Sequence, residues 1–357
     1  MSLLRYHAEQ QFAEELEAIK SVDDGLKPPN WAMSPQMVVT YIVGGVLKNG
    51  FEVTPKYIGE RRLIEIAVAT LLTDRALLLY GLPGTAKSWV SEHLAAAISG
   101  DSSMIVQGTA GTGEEQVRYG WNYARLLSEG PSEKALVPSP VMTAMQNGKI
   151  VRIEELTRIG TDVQDSLITI LSEKTLPIPE LGSEVRAQTG FNVISTANNR
   201  DKGVNEMSSA LKRRFNTVIL PLPATVAQEV DIVRRRVAGF SQQIGMPIAK
   251  PEAEQIKRVV TIFRELRSGV TIEGRVKIKQ PSGTLSTAEA ISVVNNGLAL
   301  AKYFDGELNA ESLVSGIIGA VVKDPVADAA VWNEYLENVV RVRTAWKDIY
   351  EISHKYH

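Results

Sequence analysis

Eight consecutive residues, Gly81-Leu82-Pro83-Gly84-Thr85-Ala86-Lys87-Ser88, constrain this chain more than any other stretch. They follow the apolar run Ala76-Leu77-Leu78-Leu79-Tyr80 directly and run straight into a helical pattern, KSWVSEHLAAAISG, that Gly100 closes. Strand, loop of small residues and helix start, in that order, make a phosphate cradle. Small residues let backbone N–H groups turn inward, and the helix N-terminus adds the positive end of its dipole. In that setting Lys87 is expected to reach the β- and γ-phosphates of a nucleotide, and the Ser88 hydroxyl to ligate Mg²⁺. Ala86 stands where a glycine is usual, so the loop is expected to keep its shape provided Ala86 stays out of the left-handed region. The competing reading is an ordinary Gly/Pro turn between a strand and a helix.

A cradle of this kind sits at the end of a parallel strand, and the flanking sequence supplies the rest of an α/β layer. RRLIEIAVATLLTD, VPSPVMTAMQNG and DVQDSLITILSE have helical spacing, while MIVQGTA, KIVRIEE and FNVISTANN are short apolar runs. Alternation of the two over residues 60–220 predicts βα units around a parallel sheet. Beyond PLPATVAQE the periodicity is helical at 225–243, 252–267, 286–304, 309–322 and 325–352, and strand patterns nearly vanish. At 357 residues there is room for two domains. The expected fold class is therefore α/β, with a P-loop αβα domain on a parallel sheet over residues 55–222 and an all-helical lid over 223–357. Residues 1–54 are expected to be a helical segment and linker, with YHAEQQFAEELEAIK as an acidic amphipathic helix and the proline-containing KPPNWAMSP as a loop.

A phosphate loop alone does not separate kinases from ATP-driven machines, so the remaining strand ends matter. Lys149-Ile150-Val151-Arg152-Ile153-Glu154-Glu155 is an apolar strand closed by two acids. Adjacent acids there can divide labour: Glu154 orients water on Mg²⁺, and Glu155 polarises the attacking water. A third strand ends Ser195-Thr196-Ala197-Asn198-Asn199, whose terminal amide is placed to touch the γ-phosphate or the water; Asn198 is preferred over Asn199. Lys212-Arg213-Arg214 closes a short helix, where cations offset the dipole or, alternatively, supply an arginine finger to a neighbouring subunit.

Composition excludes several other chemistries. With no cysteine, thiol nucleophiles, iron–sulfur clusters and thiolate zinc sites are ruled out, and the four histidines have no ligand spacing. Lys plus Arg number 39 against 41 Asp plus Glu, a net charge of -2 that argues against a chain built to coat nucleic acid. The N-terminus lacks a signal-peptide apolar core, and no run is long enough to insert in a membrane, so a cytoplasmic location is expected.

Taken together, GLPGTAKS, IVRIEE, TANN and LKRRF resemble the Walker A, Walker B, sensor 1 and finger segments of the MoxR-like AAA+ ATPases, in the branch with a helix-2 insert. The resemblance covers about residues 55–350. It implies Ile58 and Gly59 as the start of the adenine-contacting segment, and Arg214 as the finger with Arg213 next in line. Residues of about 107–140 are similar to the helix-2 insert, and about 176–190 to the hairpin before sensor 1. The lid departs from the family pattern, because Pro281-Ser282-Gly283-Thr284-Leu285-Ser286 holds no sensor 2 arginine; Arg275, Lys277 and Lys279 lie nearby. Glu154 stands where such ATPases usually carry Asp.

The resemblance implies an enzyme that hydrolyses Mg-ATP at the subunit interfaces of a ring, a hexamer by analogy. Its work would be to remodel or assemble a protein client, one with a von Willebrand factor A domain. Two alternatives stay open: a nucleotide-gated scaffold with little turnover, and a nucleic-acid motor. The motor is disfavoured by the acidic hairpin tip Pro179-Glu180-Leu181-Gly182-Ser183-Glu184, which would face phosphates.

Overall fold

The computed structural model describes residues 5–198, 205–246 and 250–355. The chain divides into two compact units between Pro221 and Leu222, with the loop tip Pro83–Thr85 grouped with the second.

In the first unit the strands are, in chain order, β1 Gly45–Val46, β2 Glu52–Val53, β3 Ala76–Gly81, β4 Ile105–Gln107, β5 Tyr119–Trp121 and β6 Leu136–Pro138. They continue with β7 Ile150–Glu154, β8 Thr175–Ile178, β9 Ser183–Arg186, β10 Asn192–Asn198 and β11 Phe215–Ile219. Five of these form one parallel sheet in the order β11-β3-β10-β7-β4. The expected fold class, a parallel-sheet P-loop domain followed by a helical domain, is the one the chain adopts.

Every residue of β7 and β10, and all of β3 but Tyr80, is buried because both sheet faces are covered. On one face Leu77, Leu79, Ile150 and Ile194 pack with Val90 and Leu94 of helix Lys87–Ser99. On the other, Leu78, Val151, Ile153 and Val193 pack with Val141, Met145 and Ile170. Strand alternation then assigns Arg152 and Glu154 to the face of Ile150, and Thr196 and Asn198 to the face of Ile194, both toward helix Lys87–Ser99.

Four features differ from the sequence expectation. Strand β11 was not anticipated, since its pattern is only half apolar; it pairs with β3 alone and leaves Asn216, Thr217 and Ile219 exposed at the sheet edge. The first helix breaks at Phe12 (φ -116, ψ 28) into Ala8–Gln11 and Ala13–Val22. There the Phe12 ring turns in against His93, 5.1 Å between centroids, and Trp89.

Residues 5–54, expected as a helical segment and linker, do hold helices, Ala13–Val22 and Pro35–Val43 among them, but are packed into the domain. Leu16, Ile19, Trp31, Met33, Tyr41 and Ile42 are buried in the same core as Leu77 and Leu79. Each such side chain contributes about 1.5–3 kcal/mol, enough to make this segment part of the domain. Lastly, the helix expected over 325–352 splits at Arg343, whose extended backbone (φ -92, ψ 100) lets its guanidinium pair with buried Glu265 at 2.6 Å. Satisfying a buried carboxylate outweighs one turn of helix.

Two small antiparallel pairs stand out from the sheet. Strands β5 and β6 bracket helix Tyr123–Glu129, and β8 and β9 form a hairpin whose tip turns at Gly182 (φ 58). They are joined: Tyr119 donates its hydroxyl to Glu180 at 2.8 Å, and Arg118 donates to the Pro177 carbonyl at 2.9 Å.

The second unit is helical, with helices Val226–Gln243, Lys250–Ser268, Thr287–Leu300, Ala310–Val321, Ala327–Tyr335 and Lys347–Ser353. Capping boxes at Thr225/Gln228, Ser286/Glu289 and Asn309/Ser312 set three of the starts. Inside, Glu229 accepts from Arg264, Arg267 and Thr287, and Glu265 from Arg343 and Tyr335. Among the described residues no helix is long and apolar enough to cross a membrane.

Candidate active site

The phosphate loop leaves β3 at Gly81 (φ 157), turns at Gly84 (φ 80) and enters the helix through Ala86. Ala86 sits at φ 66, ψ 20, in the left-handed region. The condition set for the loop is not met, yet strand, loop and helix follow one another as expected: the loop demands the conformation, and a non-glycine residue pays about 1 kcal/mol to adopt it. Lys87 is buried, and its Nζ donates to the carbonyls of Gly81 and Leu82 at 3.1 and 2.8 Å. The ammonium is thus folded over the loop it is expected to serve. Ser88, one residue on, is exposed.

The two acids at the end of β7 have different surroundings. Glu154 is 3% exposed; its Oε1 accepts from Arg152 (Nη2, 3.1 Å) and from Ser91, and its Oε2 accepts from Thr196 at 2.7 Å. Burial alone would push its carboxyl up, but the Arg152 charge and the hydroxyls of Ser91, Ser88 and Thr196 outweigh burial and hold it below the usual range. Glu155 instead turns off the strand with a left-handed backbone (φ 54, ψ 46). Both of its carboxylate oxygens accept from the Asn198 amide, at 3.1 and 3.0 Å, and Oε2 also faces Arg158 at 3.4 Å.

Register explains why these groups meet. Strand β10 pairs with β7 so that Ile194 lies opposite Arg152 and Ser195 opposite Ile153, which brings Thr196 beside Glu154. The Thr196 hydroxyl donates to Glu154 and accepts from the Glu155 N–H at 3.0 Å, so one side chain ties both acids. From the other side, the Gly108 N–H donates to the Glu154 carbonyl at 2.7 Å. A methyl group on Gly108 would run into the carbonyl oxygens of Glu155 and Glu154.

Lys87, Glu154, Glu155 and Asn198 therefore lie at the ends of three neighbouring strands, β3, β10 and β7. Asn199 lies outside the described residues. Arg214 stands apart, on the turn before β11, where its Nε donates to Ser172 at 2.7 Å and its Nη1 to the Ala210 carbonyl. Arg213 beside it is exposed. Ile58 is half-buried and Gly59 exposed, in a segment anchored by the N–H groups of Lys56 and Tyr57 on the Ile42 carbonyl. In the helical unit Arg275, Lys277 and Lys279 are exposed, and Lys279 pairs with Glu334.

Sequence reasoning missed Ser91, Arg152, Thr196 and Gly108. Three of them carried a signal. Arg152 and Thr196 each lie two residues before a chosen site residue on the same strand face, and Ser91 lies one helical turn after Lys87. Gly108 could be found only from the three-dimensional approach of β4 to the β7 turn.

Residues 76–215 match the family described as AAA domain (dynein-related subfamily), and residues 227–356 match the YehL-like AAA+ ATPase C-terminal domain. The uncharacterized protein YehL of Escherichia coli (strain K12) is 39% identical over 352 residues, spanning 96% of this chain and 95% of that protein. The uncharacterized protein SH1500 of Staphylococcus haemolyticus (strain JCSC1435) is 28% identical over 150 residues, 42% of this chain and 56% of that protein. Among solved structures, NtrX from Brucella abortus in complex with ADP aligns with a TM-score of 0.50 at 14% identity, over 82% of this chain and 61% of that one. At that identity the likeness concerns the fold.

Proposed function

The chain belongs to the YehL-like AAA+ ATPases, and from that premise we propose that it binds ATP on the Gly81–Ser88 loop and hydrolyses it with Glu155 as the base. The observation that carries this reading is the division between the two acids: Glu154 buried and saturated with donors, Glu155 turned outward and oriented by Asn198. A carboxylate held in that way can polarise a water without rotating away from it.

Lys87 exchanges its loop carbonyls for phosphate oxygens and supplies positive charge to the transferring group. The Ser88 hydroxyl and the Glu154 carboxylate are hard oxygen donors of the kind Mg²⁺ takes. Mg²⁺ would be held between these two groups and the nucleotide. When bound, the ion supplies charge neutralisation at the β- and γ-phosphates.

Beyond the family itself, we read the chain as MoxR-like and as a ring, hexameric by analogy, in which Arg214 completes a neighbour's site and the client is a protein bearing a von Willebrand factor A domain. Arg214 must release Ser172 and the Ala210 carbonyl to act in that way, whereas Arg213 is exposed. Glu155→Gln should retain ATP and lower hydrolysis by about 10²–10⁴-fold. Unchanged turnover would remove Glu155 from the mechanism. Mixing Arg214→Ala with Lys87→Ala subunits should restore activity if the finger acts between subunits; recovery with Arg213→Ala in its place assigns the role to Arg213. The second reading, a scaffold with little turnover, draws on the strained Ala86 and on the Arg152 pairing of Glu154. Assembly with ATP but no measurable hydrolysis by the unmodified protein would favour it.

A further inference from the structure

Arg152 is the unexpected group in this site. It stands in the middle of a parallel strand, 5% exposed, with Ile150, Val151 and Ile153 fully buried around it. Its Nη1 donates to the Ser102 carbonyl at 3.0 Å, its Nε approaches Ser91 Oγ and Glu154 Oε1 at 3.3 Å each, and its Nη2 donates to Glu154 Oε1 at 3.1 Å. A buried ion pair is weak evidence of stability, since an apolar pair of the same volume often does as well. What this one does achieve is geometric and electrostatic. The Glu154 side chain is one methylene longer than Asp, about 1.5 Å more reach. Arg152 and Ser91 draw that longer arm back along the strand and occupy Oε1, leaving Oε2 to Thr196.

Resting on the nucleotide-site reading above, we infer that Arg152 is a built-in counter-cation and positioning residue that keeps the affinity of this site for divalent metal low. Together Arg152 and Glu154 carry no net charge, where a lone acid would carry one negative charge. Glu154 then attracts the ion only weakly, and the metal depends on the phosphates for its hold. The site loads a metal–nucleotide complex, and free metal alone gains little from it.

The test uses full-length protein saturated with adenylyl imidodiphosphate and reads bound Mn²⁺ by electron paramagnetic resonance. Arg152→Gln, which removes the charge and keeps a donor, should bind Mn²⁺ at least about tenfold tighter than the unmodified protein, because it takes away the Coulomb repulsion between a fixed cation and the ion. Arg152→Lys keeps the charge and should stay within about threefold. Equal or weaker Mn²⁺ binding by Arg152→Gln overturns the inference. Should that variant fail to fold by circular dichroism, Arg152→Met takes its place. It likewise removes the charge and should tighten Mn²⁺, and equal or weaker binding again overturns the inference. A fluorescent ATP analogue in the presence of EDTA separates the two levels. Nucleotide binding with unchanged metal affinity defeats the role of Arg152 alone, whereas no nucleotide binding by the unmodified protein defeats the site reading and this inference with it.

Discussion

Asn198 donates its side-chain amide to both carboxylate oxygens of Glu155, at 3.1 and 3.0 Å, across the gap between the ends of β10 and β7. The amide fixes the rotation of a carboxylate that otherwise hangs from a left-handed turn. Asn198→Ala should therefore lower kcat about 10- to 100-fold, because a misoriented base loses most of the benefit of being close. The nucleotide Kd should change by less than about threefold, since the loop and Lys87 are untouched. Steady-state hydrolysis alongside equilibrium nucleotide binding checks the split. A matched loss in both would place Asn198 in nucleotide binding instead.

Ala86 holds φ 66 at the point where the phosphate loop becomes helix. Ala86→Gly removes the Cβ penalty there and should raise stability by about 1 kcal/mol, less whatever glycine adds to the freedom of the unfolded chain. Urea unfolding midpoints with and without nucleotide report it. A lower midpoint for the glycine variant would mean that the left-handed geometry costs this loop less than the freedom glycine adds to the unfolded chain.

How far these features were legible in the sequence follows from how local they are. Lys87 and Ser88 belong to one strand–loop–helix segment, and Glu154 and Glu155 to a single strand end, so pattern alone singles them out as candidates. The links among them depend on β10 lying between β3 and β7 at a particular register, and no local pattern encodes that neighbour relation. Thr196 and Arg152 were therefore visible only as odd polar residues in apolar runs. The left-handed backbone of Ala86 was hidden for another reason: alanine ordinarily signals helix, and the loop overrides that preference. Strand β11 escaped because an edge strand exposed on one side shows no continuous apolar run.

Gly108 sits against the backbone of the acidic pair. Gly108→Ala would press a methyl group into the carbonyl oxygens of Glu155 and Glu154, and main-chain atoms cannot swing aside as a flexible side chain would. Overpacking of this kind costs about 1–3 kcal/mol. The displacement falls on the turn that aims Glu155, so hydrolysis should fall by at least tenfold while nucleotide binding changes little. Denaturant midpoints and turnover measured on the same preparation test both parts. Full activity with lowered stability would limit Gly108 to packing.

Asp328 gathers backbone N–H groups in the helical unit: those of Ser282, Lys323 and Asp324 donate to it at 2.7, 3.0 and 2.8 Å, and the Ser282 hydroxyl adds a fourth bond at 2.7 Å. Burial opposes its charge, but the donated bonds from Asp324, Ser282 and Lys323 outweigh burial and bring its carboxyl down to about 2. A carboxyl lowered on folding stabilises the folded state fully above its unfolded value, close to 3.9, and that stabilisation is lost as pH falls from there through about 2. Asp328→Asn exchanges a full acceptor for a group that is half donor, leaves buried N–H groups without a partner, and should cost about 1–3 kcal/mol at neutral pH. The gap between the unmodified protein and the variant should narrow steadily below pH 4, because only the aspartate has charge to lose. Thermal unfolding from pH 7 to pH 2.5 measures that gap. A gap that stays constant across the range would show that the Asp328 bonds do not depend on its charge.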